Sequence, residues 1–234
     1  VIVIMTSCGE YQSLLKSNDY NLVYKKAIEY YNKGDYQRAM NLLDGVRSVF
    51  VGQAKAQNIA YYRAFCSYNM KDYQIASDLF KQFIQTYPES SFAEECLYMM
   101  GFCDYKASPK PRLDQQVTEK AIREFQLYLS RYPYSMRKDK VNTYMDEMRD
   151  KLSYKAYLSA KNYYLREHYK AAVISLQNCL KDYPGSKYRE EIMYMLFVSK
   201  YQMAVNSVED KKVERYNNAR EEYYYFADEY PNSR

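Results

Sequence analysis

The chain has 234 residues, a mass of 28.0 kDa and a net charge of +5 at pH 7, with 31 tyrosines, no tryptophan and six residues each of glycine and proline. This modest charge, without a basic run, excludes a nucleic-acid-binding surface of the usual kind. The five cysteines have no Cys-x-x-Cys spacing, which excludes the common zinc motifs.

The N-terminus has the pattern of a lipoprotein signal. Residues 1–5 are apolar and are followed by Thr6-Ser7-Cys8-Gly9. Small residues directly before a cysteine are typical of a cleavage box, after which the cysteine becomes the first residue and is acylated. We predict a signal remnant over residues 1–7, lipid attachment at Cys8 and a polar tether over residues 8–20. The alternative is a stray apolar terminus with a buried cysteine.

A four-residue phrase, Tyr-Pro-x-Ser, divides the rest of the chain. It occurs at residues 87–90, 132–135, 183–186 and 230–233. Proline cannot continue a helix and disfavours the helical conformation in the residue before it. The serine can accept a hydrogen bond from the orphan amides of a following helix. Each phrase therefore predicts the end of one helix and the start of another.

Two tyrosines seven residues apart recur between these phrases. The pairs are Tyr24/Tyr31, Tyr61/Tyr68, Tyr98/Tyr105, Tyr157/Tyr164 and Tyr194/Tyr201, at steps of 37, 37, 59 and 37 residues. A small residue lies between the two tyrosines in every pair except the last. A period in the thirties, with small residues where helices must approach, is typical of a helical solenoid. We predict an all-α fold of about five helix–turn–helix repeats.

The elements follow in chain order as one continuous array. Repeats one to three cover residues 21–133, with an insertion after residue 107, and repeats four and five cover residues 134–234. The predicted helices are 21–33, 36–50, two within 54–87, 90–107, one ending near 132, 136–166, 169–183, 187–206 and one ending at 230 after a charged turn at 209–212. An apolar stripe over 141–152 packs either inside the array or against another chain.

These units resemble the tetratricopeptide repeat (TPR). That pattern has a small residue in helix A, a Gly-Asp-Tyr-like turn such as Gly34-Asp35-Tyr36, an alanine in helix B and a terminal proline. The resemblance covers residues 20–233 and implies a right-handed TPR-like solenoid, in which the tyrosine pairs face the concave surface. It suggests a peptide-binding groove lined by nine rings: Tyr24, Tyr31, Tyr61, Tyr62, Phe65, Tyr68, Tyr98, Phe102 and Tyr105. Since such tyrosines also occur in ordinary TPR units, the stripe has a second interpretation as framework.

The sequence offers no catalytic motif. The single histidine, His168, lies in a turn where other repeats carry Asp35 and Asp72. Carboxylate pairs such as Glu94-Glu95 open helices, where the dipole favours negative charge. No glycine-rich phosphate loop or nucleophile elbow occurs. We therefore predict that the protein is not an enzyme and binds no metal and no cofactor.

A lipoprotein box followed by five TPR-like units and an enlarged middle repeat resembles the BamD (YfiO) family, lipoproteins of the outer-membrane β-barrel assembly (BAM) complex. The resemblance implies a scaffold that is lipid-anchored to the outer membrane on its periplasmic face. Its implied partners are a BamA-like barrel protein bound through POTRA domains, other BAM subunits, and the C-terminal signal of unfolded barrel proteins. The N-terminal repeats would receive that signal and the C-terminal repeats would hold the POTRA domains.

Two alternatives remain open at the level of sequence. One is a substrate-binding lipoprotein of nutrient uptake, similar to the TPR-containing SusD group, whose aromatic rings stack on sugars. The other is a TPR coordinator of cell-envelope synthesis, similar to the CpoB group. A glycan-binding assay tests the first alternative, and dependence of function on Cys8 tests the second.

Overall fold

The structure is a computed structural model that describes residues 4–233, with side chains from residue 9 onward. These residues form eleven helices and no strand. The helices are α1 (Ile4–Leu15), α2 (Tyr20–Asn32), α3 (Tyr36–Val46), α4 (Lys55–Asn69), α5 (Tyr73–Thr86), α6 (Ala93–Ala107), α7 (Gln116–Arg131), α8 (Lys138–Leu165), α9 (Tyr169–Asp182), α10 (Arg189–Val205) and α11 (Glu209–Glu229). The predicted all-α class is confirmed.

The N-terminal segment differs from the predicted polar tether over residues 8–20. It is helical as far as Leu15, and α1 contacts α3. Tyr11 and Leu14 lie three residues apart on one helix face and are both buried. The Asn41 amide donates to the Tyr11 hydroxyl at 3.0 Å. This stretch is therefore part of the first hydrophobic core, and residues 16–19 form its link to α2.

Neighbouring helices pack as the repeat pattern predicts. Contacts join α2 with α3, α4 with α5, α6 with α7, α9 with α10 and α10 with α11. The small residues of the pattern lie at these contacts with no exposed surface: Ala27, Ala39, Ala64, Ala76, Ala121, Ala160 and Ala172. A small side chain at each of these points lets two helix backbones approach closely, which is why the pattern is readable in the sequence.

The turn between the two helices of a repeat uses one left-handed residue. That residue is Gly34 in the first repeat (φ 81°), Lys71 in the second (φ 68°) and Glu167 in the fourth (φ 59°). Only glycine adopts this conformation without a steric cost. In the first repeat, the Asp35 side chain then caps α3 by accepting from the Arg38 amide at 3.2 Å.

The Tyr-Pro-x-Ser phrases form one recurring junction. In each phrase the serine amide donates to the tyrosine carbonyl, at 3.0 to 3.2 Å. The hydroxyls of Ser90, Ser135 and Ser186 accept the amide two residues further on, at 3.2, 3.2 and 3.3 Å. The next helix begins three residues after each of these serines. The serine thus orders the turn before the helix rather than occupying the N-cap position itself.

Two predictions for the C-terminal half have clear outcomes. The long helix predicted over 136–166 is confirmed as α8, and its Val141, Met145 and Met148 are buried within the chain, so the apolar stripe packs inside.

The charged turn predicted at 209–212 is wrong, because these residues form the first turn of α11. Acidic residues are favoured there by the helix dipole, and Lys212 pairs with Glu209 at 2.6 Å.

The described residues form two compact units. The first contains the residues up to Pro109 together with Gln115–Met145, and the second contains Lys110–Asp114 together with the residues from Asp146. The predicted division after residue 133 differs from this boundary, which lies within α8. The reason is that the Tyr144 ring stacks on Tyr105 at 4.4 Å and on Phe125 at 5.9 Å, which adds the start of α8 to the first unit.

Candidate functional site

The predicted groove residues are brought together as one series of ring contacts in the first unit. Eight of the nine rings are linked in this way, and Tyr24 packs separately on Phe50 at 6.1 Å. The links are Tyr31–Tyr62 (4.9 Å), Tyr62–Tyr61 (5.5 Å), Tyr61–Phe65 (4.5 Å), Phe65–Tyr68 (6.4 Å), Tyr68–Phe102 (6.2 Å), Phe102–Tyr98 (5.7 Å) and Phe102–Tyr105 (5.9 Å). We call this series the aromatic stripe.

Much of the aromatic stripe is framework. Phe65 packs on Phe80 of α5 at 5.1 Å, and Tyr98 packs on Phe125 of α7 at 6.3 Å and is only 8% exposed. Burial raises the pKa of Tyr31 to about 12. These contacts join the two helices of the second and third repeats, and apart from Tyr98 the rings of the aromatic stripe are half-buried, which leaves part of their surface for a ligand.

A tyrosine–glutamate hydrogen bond connects neighbouring repeats in both units. The Tyr61 hydroxyl on α4 donates to Glu95 Oε2 on α6 at 2.8 Å. The Tyr157 hydroxyl on α8 donates to Glu191 Oε2 on α10 at 2.6 Å, and Lys161 donates to Glu191 Oε1 at 2.7 Å. Burial, and then the bond to Glu95, raise the pKa of Tyr61. The acidic pairs that open α6 and α10 thus also bond to the preceding repeat.

A buried ionic cluster lies in the third repeat. Asp104 of α6 is 1% exposed and accepts from Ser77 at 2.9 Å and from Lys120 at 2.9 Å. Glu124 of α7 is 9% exposed and lies 3.7 Å from the Lys120 ammonium. Burial, and then the neighbouring Asp104 carboxylate, raise the pKa of Glu124 to about 8. Glu124 Oε2 has no hydrogen-bond partner within the described residues. A protonated Glu124 carboxyl can donate to the neighbouring Asp104 carboxylate, which favours the neutral form of Glu124.

A tyrosine face that is more exposed than the aromatic stripe lies in the second unit, on α10 and α11. Tyr194 and Tyr201 of α10 are 48% and 44% exposed, and Tyr216 and Tyr223 of α11 are 40% and 47% exposed. The Tyr201 and Tyr216 rings lie 6.0 Å apart. The sequence prediction of site residues omits this face. A signal was nevertheless present, because Tyr216 and Tyr223 repeat the spacing of seven found in every helix A.

The four described cysteines are buried, and the described residues form no metal site. Cys66, Cys96, Cys103 and Cys179 are buried free thiols, and burial raises the pKa of each. His168 is exposed in the turn that precedes α9. Across residues 4–233 no group of His, Cys, Asp and Glu is arranged to hold a metal ion. The predicted lipid attachment at Cys8 lies outside the described side chains.

Repeated pairs of packed helices, with a small buried residue at the helix contacts, define a helical repeat protein of the TPR type. The chain belongs to the YfiO family, described as an outer membrane lipoprotein, whose model matches residues 16–214. No helix within residues 4–233 has both the length and the apolar character needed to cross a bilayer.

Similarity to individual proteins is more distant. No curated protein sequence matches the chain significantly. Among solved structures, the chain is similar to the TPR2AB domain of yeast Sti1 in its pHSP90 complex, with a TM-score of 0.44, 13% identity and coverage of 87% of this chain and 77% of that one. It is also similar to MamA of AMB-1, with a TM-score of 0.36, 14% identity and coverage of 86% and 90%.

Proposed function

We propose that this protein is a non-enzymatic scaffold of the outer-membrane β-barrel assembly complex. In this role it is anchored by a lipid on Cys8 at the periplasmic face of the outer membrane. It binds a BamA-like barrel protein through POTRA domains, contacts other subunits, and receives the C-terminal signal of unfolded barrel proteins. The observation that carries this proposal is the match of the YfiO family model over residues 16–214.

The geometry supports binding rather than catalysis. The four thiols of the described chain are buried and protonated at neutral pH, and the one histidine lies alone in an exposed turn. Tyrosine rings, by contrast, line both units. A phenol combines a large apolar contact area with a hydroxyl that can bond a peptide backbone, at a low cost in side-chain entropy. Such faces suit an extended segment that ends in an aromatic residue.

An affinity purification tests the assignment to the assembly complex. The detergent-solubilised protein, with its lipid intact, is isolated from its native membrane, and the co-purifying chains are identified by mass spectrometry. We expect a POTRA-bearing barrel protein in near-equal amount. Recovery of a TonB-type transporter or a cell-wall synthase in its place would contradict the proposal.

A peptide-binding assay then distinguishes the two tyrosine faces. A fluorescent peptide with the aromatic C-terminus of a barrel protein is titrated with the wild type and with two double variants. Tyr62→Ala with Tyr68→Ala alters the aromatic stripe, and Tyr201→Ala with Tyr216→Ala alters the exposed face of the second unit. We expect the first variant to weaken binding and the second to leave it unchanged. Circular dichroism checks that each variant is folded. If the second variant weakens peptide binding and the first does not, the signal binds to the second unit instead.

A further inference from the structure

The turn between α7 and α8 displays two large apolar side chains. Tyr134 is 97% exposed and Met136 is 102% exposed, values close to those of a side chain on an isolated peptide. Among the other large hydrophobic side chains that the structure describes, Val51 is the most exposed, at 74%. Both residues belong to the first unit. Nearly all of each side chain is therefore open to a binding partner.

The fold does not require apolar residues at these positions. The residue after the proline is Glu89, Gly185 or Asn232 in the other junctions, and Tyr134 in this one. The residue after the serine is Ser91 or Lys187, and Met136 here. The backbone turn is the same in all four, since each serine amide bonds to its tyrosine carbonyl at 3.0 to 3.2 Å. The two apolar side chains are therefore a property of this junction alone.

Contacts made by Ser135 and Arg137 hold the backbone of this turn in place. The Ser135 hydroxyl donates to Glu94 Oε1 at 2.7 Å, and the Tyr128 hydroxyl donates to the same oxygen at 3.0 Å. The Arg137 guanidinium lies over the Tyr98 ring at 5.0 Å. Ser135 and Arg137 thus face the protein, while the alternating Tyr134 and Met136 face solvent. Because the backbone is already ordered, little entropy is lost when the two side chains are bound.

Positive charge surrounds the turn. Residues 131–140 contain four cations, Arg131, Arg137, Lys138 and Lys140, and one anion, Asp139. Lys138, Asp139 and Lys140 are all exposed, so the segment keeps an excess of positive charge, and the Glu94 and Glu95 carboxylates that contact the first unit are bonded to its hydroxyls. A tyrosine ring is favoured at the headgroup level of a bilayer, and exposed lysines are attracted to anionic lipids.

We propose that the α7–α8 turn is a contact site for an anionic phospholipid surface. Tyr134 and Met136 enter the headgroup region, and Lys138 and Lys140 lie against the phosphates. The family to which the chain belongs is one of outer membrane lipoproteins, so a bilayer is adjacent. This contact is separate from the lipid on Cys8 and from the protein partners proposed above. It also orients the protein on the membrane, which a single lipid tether does not do.

The absence of tryptophan from the chain allows a direct test. Tyr134→Trp places the only indole at the turn, and Tyr225→Trp places it at a 68% exposed site on α11 as a matched control. The non-acylated chain is mixed with vesicles of phosphatidylethanolamine and phosphatidylglycerol. We expect the emission of Tyr134→Trp to shift to the blue and to be quenched by brominated acyl chains, with no change for Tyr225→Trp. Absence of a response from Tyr134→Trp would overturn the proposal.

A second variant removes the apolar side chains without introducing a probe. Tyr134→Glu with Met136→Ser gives this turn the residues of the α5–α6 junction, and the exposure of both sites predicts an unchanged Tm. We expect about tenfold weaker partitioning to the same vesicles, and little binding of either protein to phosphatidylcholine alone. Equal vesicle binding by variant and wild type contradicts the proposal. If the variant instead loses a POTRA-bearing partner while its vesicle binding is unchanged, the turn belongs to a protein interface.

Discussion

The hydroxyl of Tyr61 lies 2.8 Å from Glu95 Oε2, and the same bond, at the same separation of 34 residues, joins Tyr157 to Glu191 at 2.6 Å. Each bond runs from the first helix of one repeat to the start of the first helix of the next. In a repeat protein the contacts between neighbouring units supply much of the stability. The Tyr61–Glu95 bond therefore joins two neighbouring repeats, and Tyr61 is also part of the aromatic stripe.

Tyr61→Phe tests that role. The ring contacts with Phe65 and Phe92, both at 4.5 Å, are retained, and only the donor is lost. A hydrogen bond to a charged group contributes about 1.5–3 kcal/mol, and the 37% exposure of the Glu95 side chain places this one near the lower end, at about 1.5 kcal/mol. We expect the free energy of unfolding to fall by about that amount in urea denaturation followed by circular dichroism.

Glu95→Gln and the double variant complete a thermodynamic cycle for this pair. The cycle separates the bond to Tyr61 from the contact between Glu95 and Arg137, which lie 3.8 Å apart. A coupling energy near zero would mean that water replaces the bond without loss. In the second unit, Tyr157→Phe loses the bond to Glu191 and also the bond that the Tyr157 hydroxyl accepts from Lys161 at 2.8 Å, so we expect a decrease at least as large as for Tyr61→Phe.

The raised pKa of Glu124 predicts that the stability of the fold depends on pH. Its pKa of about 8 in the folded protein lies above its ordinary value of 4.5, so protonation favours the folded state. The stabilisation is complete below pH 4.5 and is lost as the pH rises through 8. We expect the free energy of unfolding to fall by roughly 4 kcal/mol as the pH rises from 4.5 to 8. Four charged groups face this carboxyl or its partner: Asp104, Lys120, Asp78 and Lys81.

Glu124→Gln keeps the neutral form at every pH. The free energy of unfolding, measured by denaturation from pH 5 to 8, should therefore depend much less on pH in this variant than in the wild type. Glu119→Gln is the matched control, because Glu119 is exposed on the same helix and should leave the wild-type profile unchanged. A wild-type profile that is flat across this range would contradict the raised pKa.

Gly101→Ala tests the close approach of α6 and α7. A Cβ atom at this position would lie 2.9 Å from Phe125 Cδ1, and Phe125 is completely buried. Overpacking of this kind costs about 1–3 kcal/mol, which exceeds the gain of about 1 kcal/mol from replacing a helical glycine. We therefore expect a lower Tm. Gly45→Ala on α3 is the control, since no atom lies within 4 Å and the substitution should raise the Tm. A higher Tm for both variants would show that the Phe125 ring moves.

The sequence predicts the helix pairs because their boundaries are set locally. Wherever Tyr-Pro-x-Ser occurs, the proline ends one helix and the serine orders the turn before the next. A small residue at each close contact is likewise visible in a single chain. The start of α11 is not predicted, since Val208 is followed by charged residues with no glycine or proline to mark a boundary.

The exposed fraction of each tyrosine is not predictable from the sequence either. Tyr98 and Tyr194 hold equivalent positions in their repeats, yet they are 8% and 48% exposed, because neighbouring elements cover one ring and not the other.

Cys8→Ala tests the proposed lipid anchor. Two or more acyl chains hold a protein on a bilayer stably, whereas a reversible contact such as the α7–α8 turn does not. In the native bacterium we expect the wild type in the outer-membrane fraction, with an N-terminal peptide whose mass includes acyl chains, and the variant in the soluble extract after a high-salt wash. Tyr134→Glu with Met136→Ser is the control, since it retains the lipid and should stay with the membrane. A Cys8→Ala protein that resists the wash, or a wild-type N-terminus without acyl groups, would show that Cys8 is not the anchor.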